Sequence, residues 1–274
     1  MNNFIALINK LSQLYFGHIN FKLFKMKRTL LTLLFIFSIS VNAQFPQFVE
    51  VMEFTSDDSK KWVEMLNDWS DIETEVTGYQ TFVMEVMNLN KVYFCRGFET
   101  MNELTDNGAK RWGDDGWNQK VWDKWKLKYP EEKPFESVSP TFVMNHVFAF
   151  SKDLSYIPQS INLESELPKM KFRRNVFLDI KKDYEWNDAA AQFKSVHEND
   201  NKLGNTYISL IYQPMFGGFD NADFLLIVLD ESREKYFENL AQRDNKRESD
   251  NDWNNIMKNS VLNWINEEQI MIHY

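Results

Sequence analysis

The chain has 274 residues, a formal net charge of −9, and an aromatic content of 15%. An acidic chain this rich in aromatic residues is not a disordered acidic tail, and its charge excludes nucleic acid and anionic membrane surfaces as natural partners. The length suits one large domain or two small ones.

The first 43 residues have the features of an export signal. Lys27 and Arg28 precede an apolar stretch over residues 30–41, and Val41 and Ala43 are the small residues that a signal peptidase requires. The apolar stretch is shorter than the roughly 20 residues that cross a bilayer. We therefore expect segment 1–43 to be removed. The mature chain would be periplasmic or secreted, with no membrane contact after signal removal.

Removal of this leader makes the chain more acidic. It leaves 26 Lys and Arg residues against 40 Asp and Glu residues, a net charge of −14. Cys95 is the only cysteine, so an exported chain has no internal disulfide and depends on its core for stability. Cys95 ends the apolar run 92–95, which predicts a strand and a packed, structural cysteine.

In the first half, the predicted order of elements is strand, helix, strand, strand, helix, strand. The predicted strands cover residues 48–54, 79–87, 91–98 and 141–150. The first helix follows the polar segment 56–58 and ends at Gly78. It has apolar residues at helical spacing, namely Trp62, Met65, Leu66, Trp69 and Ile72. The second helical region, 101–128, is interrupted by glycines, and prolines follow it.

The second half repeats this order. Its predicted strands cover residues 174–180, 206–213, 223–229 and 269–274, and helices start near Trp186 and Ser232. The apolar stripe of the first helix recurs 124 residues later, from Trp186 to Val196, and Gly204 follows it as Gly78 follows the first. This spacing predicts a tandem duplication. The first unit would be 44–151, the linker 152–169 and the second unit 170–274.

A βαββαβ unit folds as a four-stranded antiparallel sheet with both helices on one face, and the other face needs cover. The predicted fold class is therefore α+β: two βαββαβ ferredoxin-like units packed sheet to sheet as an intramolecular α/β barrel. Two independent ferredoxin-like domains side by side are the alternative. Because each half covers the other, we expect a monomer.

This order of elements resembles the dimeric α/β-barrel superfamily, with both halves on one chain. The resemblance implies two enzyme types, cofactor-free monooxygenases and haem proteins, which use a His, Asn or Trp in the cavity. His146, Asn145, Trp112 and Trp117 are residues of that kind.

Polar residues within apolar strands are candidates for a cavity between the sheets. With the tryptophans, the candidate ligand-binding residues are Glu50, Glu85, Arg96, Asn145, His146, Trp112 and Trp117. An inward cluster of Glu50, Arg96 and His146 around open space would favour an enzyme. His146 shares its strand face with Phe148, so a hydrogen-bonded core histidine is the alternative interpretation.

Four tryptophans crowd the second helical region. Trp117, Val121 and Trp125 fall at helical spacing, which predicts core packing. Trp112 lies among glycines and aspartates and could rim a pocket for a sugar or an aromatic ligand.

The sequence has no Gly-rich phosphate loop, zinc-spaced His/Cys cluster or Gly-x-Ser-x-Gly elbow. It assigns no catalytic residue and no cofactor, and it predicts no metal site. It favours an exported binding protein with a small-molecule cavity between the halves. The alternatives are an α/β-barrel enzyme of the monooxygenase or haem-binding kind, and a protein-interaction module that uses the Trp-rich helix face.

Overall fold

The computed structural model describes residues 46–273, apart from 88, 114–115, 132–133, 182–185, 217–221, 248–251 and 260. The predicted leader and the predicted start at Gln44 lie outside the described residues. Within them, no helix combines the length and the apolar character needed to cross a membrane.

The described strands form one closed antiparallel barrel. They are β1 (Phe48–Thr55), β2 (Gln80–Val86), β3 (Lys91–Phe98), β4 (Thr141–Phe150), β5 (Phe172–Ile180), β6 (Ile208–Phe216), β7 (Phe224–Asp230) and β8 (Val261–His273). Their order around the barrel is β1-β3-β2-β8-β5-β7-β6-β4. The four strands of each half therefore follow one another around the barrel in the same order: β4-β1-β3-β2 in the first half and β8-β5-β7-β6 in the second. The two sheets join through β2–β8 and β4–β6. The predicted intramolecular barrel is confirmed, and the alternative of two separate domains is wrong.

The described part of the chain also has seven α-helices. They are α1 (Ser59–Thr77), α2 (Met101–Arg111), α3 (Trp117–Lys128), α4 (Leu163–Glu166), α5 (Trp186–Lys202), α6 (Arg233–Lys246) and α7 (Asp252–Asn259). Helix α1 packs on β2 and α3, and α5 packs on α7. Gly78 and Gly204, which follow α1 and α5, have φ angles of +75° and +64°. Glycine adopts this left-handed conformation without a steric penalty, so it can end a helix there.

Strand alternation divides the apolar side chains between the barrel interior and two outer layers. On β1, Val49 and Val51 pack inside the barrel, while Met52 and Phe54 pack beneath α1. A second outer layer lies between β5–β7 and α5. The outer layer of the first half contains the site described below.

The start of β8 differs from the sequence-based expectation. β8 begins at Val261, eight residues before the predicted start, because residues 261–270 pair with the whole of β5. Tertiary pairing, rather than local alternation, sets this boundary. Segment 152–169 is packed against the barrel: Tyr156 bridges to Ser209, and Leu167 is buried.

Candidate functional site

The helix layer of the first half contains a buried charged cluster of Glu50 (β1), Glu73 (α1), Arg96 (β3) and Arg111 (the end of α2). Arg96 Nη1 donates to Glu50 Oε2 at 2.9 Å and Nη2 to Glu73 Oε2 at 2.8 Å, and Arg96 Nε also donates to Glu73. Arg111 Nη1 is 3.4 Å from Glu50 Oε1. Glu73 and Arg96 are 0% and 1% exposed, so this ion pair is fully buried.

The cluster sets the ionisation of its members. Burial would raise the pKa of Glu50, but the Arg96 and Arg111 guanidinium groups and the Asn145 amide lower it below its ordinary value. Burial would likewise lower the pKa of Arg96, and the two carboxylates raise it. The pKa of Arg111 is lowered by burial and by repulsion from Arg96. Arg111 is therefore the less well compensated of the two cations.

Several predicted site residues adjoin this cluster. Asn145 Nδ2 donates to Glu50 Oε1 at 2.9 Å. The Trp117 ring centre is 5.3 Å from Arg96 Cζ and 5.5 Å from Arg111 Cζ, distances typical of cation–π contacts. Trp112 stacks on Arg111 from outside and is 67% exposed.

A pocket of about 200 Å³ lies beside the cluster, between α1 and the outer face of β1 and β3. We call it the helix-side pocket; its lining residues are Met52, Phe54, Trp62, Met65, Leu66, Trp69, Phe94, Arg96, Arg111, Trp125 and Phe135. Six of these eleven side chains are aromatic. An apolar cavity of about 150 Å³ is enough to bind benzene. The helix-side pocket therefore has room for one aromatic ring with a small substituent.

An open groove lies beside the helix-side pocket. Its volume is about 500 Å³, and it shares Phe54, Trp62 and Phe135 with the pocket. Phe54 and Phe135 both stack edge-on against Trp62, at centroid distances of 5.5 Å. These three rings form the boundary between the groove and the pocket, so their rotation would give a ligand a path inward.

The barrel interior is nearly filled. Its cavity has a volume of about 50 Å³, and its lining includes Cys95, His146, Phe148 and Tyr212. This is room for a few water molecules and less than a benzene ring requires. Burial raises the pKa of the Cys95 thiol to about 12, so it is an inert, packed cysteine, as predicted.

A polar network also lies in the interior, and two of its members, Tyr93 and Gln269, line the same cavity. Lys91 Nζ is 3.2 Å from Glu53 Oε1 and 2.9 Å from Glu267 Oε1. Tyr93 and Gln269 donate to the other Glu267 oxygen at 3.0 and 3.1 Å. Burial would lower the pKa of Lys91, but Glu267 and Glu53 raise it. Interacting mainly with one another, these groups stabilise the interior.

Some of the predicted site residues lie close together in the structure, and others lie apart. Glu50, Arg96, Asn145, Trp112 and Trp117 meet in the first helix layer, on the outer face of the sheet. His146 pairs with Val51 in the barrel wall and faces the interior. The inward cluster of Glu50, Arg96 and His146 is therefore not formed.

Glu85 is half-buried on the helix face of β2, away from the charged cluster. Trp117, Val121 and Trp125 are buried, as their spacing predicts.

Sequence reasoning missed Glu73, Arg111 and Trp62 as site residues. Glu73 follows Trp69 by four residues, and its side chain accepts the indole N–H of Trp69 at 2.8 Å. Glu73 therefore lies on the apolar face of α1, and an acidic residue at such a position is the sequence signal that could have identified it as a buried charge. Arg111 gave no such signal, because it ends a polar helix.

A haem group, which the resemblance implies, does not fit the described pockets. Haem needs an axial side chain, usually His, Cys, Met or Tyr. The barrel cavity of about 50 Å³ and the helix-side pocket of about 200 Å³ hold at most one aromatic ring, so neither has room for a porphyrin, and the open groove has no His, Cys, Met or Tyr among its lining residues. His197 lies on α5 and packs against Tyr156. The described residues also include no group of three or more His, Cys, Asp or Glu side chains suited to a metal ion.

Comparison with known proteins identifies solved structures with a similar fold. No family model and no curated protein matches the chain. A candidate monooxygenase from Fusobacterium nucleatum has a similar structure, with a TM-score of 0.51, 8% identity, and coverage of 82% of this chain and 92% of that one.

Two further solved structures each have a TM-score of 0.48. An anthrone oxidase-like protein shares 8% identity over 84% of this chain and 93% of its own. A candidate chlorite dismutase shares 9% identity over 82% and 94%. At these identities the likeness concerns the fold alone.

Proposed function

We propose that this chain is an exported small-molecule-binding protein whose ligand occupies the helix-side pocket. The observation that supports this proposal most directly is a pocket of about 200 Å³ with aromatic walls, bordered by a buried charged cluster. Ligand sites are typically apolar cavities with a few fixed polar groups, which describes this pocket. The barrel cavity between the halves, where the sequence suggested a site, is four times smaller.

No specific feature of the pocket favours an enzyme. Its lining contains no histidine, carboxylate or hydroxyl that would accept a proton from a substrate. The two carboxylates beside it already accept hydrogen bonds from Arg96. Binding without chemistry is therefore the function that these residues support.

Calorimetric titration with toluene tests the proposal. We expect one site per chain, accompanied by a change in tryptophan emission, because Trp62, Trp69 and Trp125 line the pocket. Leu66→Phe places a ring in the pocket and should abolish binding.

Val49→Ile is the matched control, because Val49 lines the barrel cavity instead. Toluene binding that survives Leu66→Phe and is lost in Val49→Ile would place the site inside the barrel and contradict the proposal.

Export and oligomeric state are part of the same proposal. The leader features support export, and N-terminal sequencing of protein from the periplasm or medium should give Gln44 as the first residue. An intact leader on cytoplasmic protein would contradict this.

Barrel closure within one chain supports a monomer, and light scattering that finds a stable dimer at low concentration would contradict it.

We also propose that the two halves arose by duplication. Their common strand order and the left-handed glycines after α1 and α5 support this. Sequences of relatives test it: Gly78 and Gly204 should align when their halves are compared.

A further inference from the structure

We infer that the ligand of the helix-side pocket is a neutral, planar aromatic compound that carries a carbonyl oxygen. The inference rests on the proposed function and adds the chemical class of the ligand. Three features of the pocket carry it: unused hydrogen-bond donors, balanced charge and size.

Apart from two weakly accepting thioether sulfurs, the polar atoms that line the pocket are donors. Among its lining side chains, the polar groups are two guanidinium groups, three indole N–H groups and two thioethers, with no hydroxyl, carboxylate or amide. Arg96 is engaged by two carboxylates, Trp69 Nε1 donates to Glu73, and Trp125 Nε1 donates to the Met65 carbonyl at 3.4 Å. The ligand must therefore supply an acceptor.

Two donors in this lining have no acceptor among the described residues, Trp62 Nε1 and Arg111 Nε. Trp62 is only 4% exposed, and the Arg111 side chain is 14% exposed, so neither N–H is freely hydrated. A buried donor without an acceptor is unfavourable, and a ligand oxygen would relieve that cost. A carbonyl oxygen, with two lone pairs, suits this environment.

Charge balance favours a neutral ligand over an anion. Arg96 and Arg111 carry two positive charges, and Glu50 and Glu73 carry two negative charges. A carboxylate in the pocket would give this buried group of charges a net negative charge and would compete with Glu50 for Arg111. A neutral carbonyl group gains the hydrogen bond without that penalty.

Three probes of one shape separate these contributions. Acetophenone has the ketone oxygen, α-methylstyrene replaces that oxygen by a methylene group, and benzoate replaces the methyl group by a second, charged oxygen. We expect acetophenone to bind about tenfold more tightly than α-methylstyrene, the ratio that one hydrogen bond supplies. Benzoate at pH 7 should bind more weakly than acetophenone.

Two variants test which indole N–H group donates a hydrogen bond to the ligand. Trp62→Phe keeps an aromatic ring but removes the free N–H, so the preference for acetophenone over α-methylstyrene should shrink severalfold. Trp69→Phe is the matched control, because Trp69 lines the same pocket but its N–H already donates to Glu73. That variant should retain the preference, even if both affinities fall.

The outcomes separate the inference from the proposed function. Failure of all three probes to bind would contradict the proposed function itself. Equal binding of acetophenone and α-methylstyrene, or tighter binding of benzoate, would leave the site in place and overturn the ligand class. An unchanged preference in Trp62→Phe would overturn the assignment of that N–H.

Discussion

The two helix layers of this barrel are built on the same strand order but are filled differently. In the first half, Glu50 on β1 lies opposite Arg96 on β3; at the matching register of the second half, Arg174 on β5 lies opposite Val228 on β7. Glu73 on α1 has His197 as its counterpart 124 residues later. Charge and open space therefore coincide in the first layer, whereas the described residues of the second layer pack as a cluster of aliphatic and aromatic side chains.

The second half places its own buried ion pair at the end of its layer. Arg247, just after α6, donates through Nε to Asp200 Oδ1 on α5 at 2.9 Å. Asn205 Nδ2 and Tyr207 also donate to Asp200. This pair joins the ends of two helices, whereas Arg96 lines a pocket. Buried charge therefore joins two helix ends in one half and borders the helix-side pocket in the other.

The largest difference between the layers should appear when the cations are removed. Arg96→Met leaves Glu50 and Glu73 buried without their main partner, and we expect a loss of about 3–5 kcal/mol in the free energy of unfolding. Arg174→Met, at the matching register, removes a half-buried cation whose side chain is 23% exposed, and should cost about 1 kcal/mol or less. Urea unfolding at pH 7 measures both. Equal losses would show that the two layers do not differ in this way.

The layers should also respond to different pH ranges. Burial lowers the pKa of His197 from 6.5 to about 4, with smaller, opposing effects from Asp200 and Arg247. In the unfolded chain this histidine binds a proton near its ordinary pKa, so the folded state loses stability as the pH falls from about 6.5 towards 4. The loss should reach about 3 kcal/mol at most.

His197→Gln should remove that part of the pH dependence, measured by urea unfolding from pH 7 to 4. Glu50 differs, because its pKa is depressed below 4.5 and its stabilising contribution is lost only as the pH falls below that value. Glu50→Gln should therefore leave the slope between pH 6.5 and 4.5 unchanged. If His197→Gln leaves it unchanged as well, the interpretation of His197 as a buried neutral group is wrong.

The two helix layers should also differ in how well they tolerate a larger side chain. Ala190 on α5, the counterpart of Leu66 on α1, is 7% exposed and packs within the apolar cluster of its layer, so Ala190→Leu should cost about 1–3 kcal/mol. Leu66→Phe extends into the helix-side pocket and should cost less than about 1 kcal/mol. Thermal unfolding of both variants tests this. A larger loss for Leu66→Phe would mean that the pocket is not available space.

The sequence predicted the fold where local patterns decide it. The bounds of β3 and β4 agree with the prediction, because each is an apolar run between turn signals. The start of β8 does not, since it depends on pairing with β5, a partner more than 80 residues away.

The candidate site was predictable in part, for the same reason. Glu50 and Arg96 were identified because charges are rare in apolar strands. Their separation from His146 depends on which strand faces align, and this is set by register between strands rather than within one. The role of Arg111 depends on where the end of α2 lies against β1, which no local pattern reports.

The smallest difference expected between the halves concerns two helix caps. Asp58 caps α1 by accepting from Lys61 N at 3.0 Å, and Ser232 caps α6 by accepting from Lys235 N at 3.2 Å. Helix α1 buries six residues of its length, so fraying of its first turn would disturb the layer that contains the pocket.

Asp58→Ala should therefore cost about 1 kcal/mol of global stability. Helix α6 has Tyr236 as its buried residue, so Ser232→Ala should mainly permit local fraying, at about 0.5 kcal/mol or less. Urea unfolding gives the global loss, and amide hydrogen exchange at Lys61 and Lys235 reports the local opening. Faster exchange at Lys235 with unchanged global stability is the expected pattern for α6. The same pattern at Lys61 would show that α1 is no more firmly coupled to the core than α6.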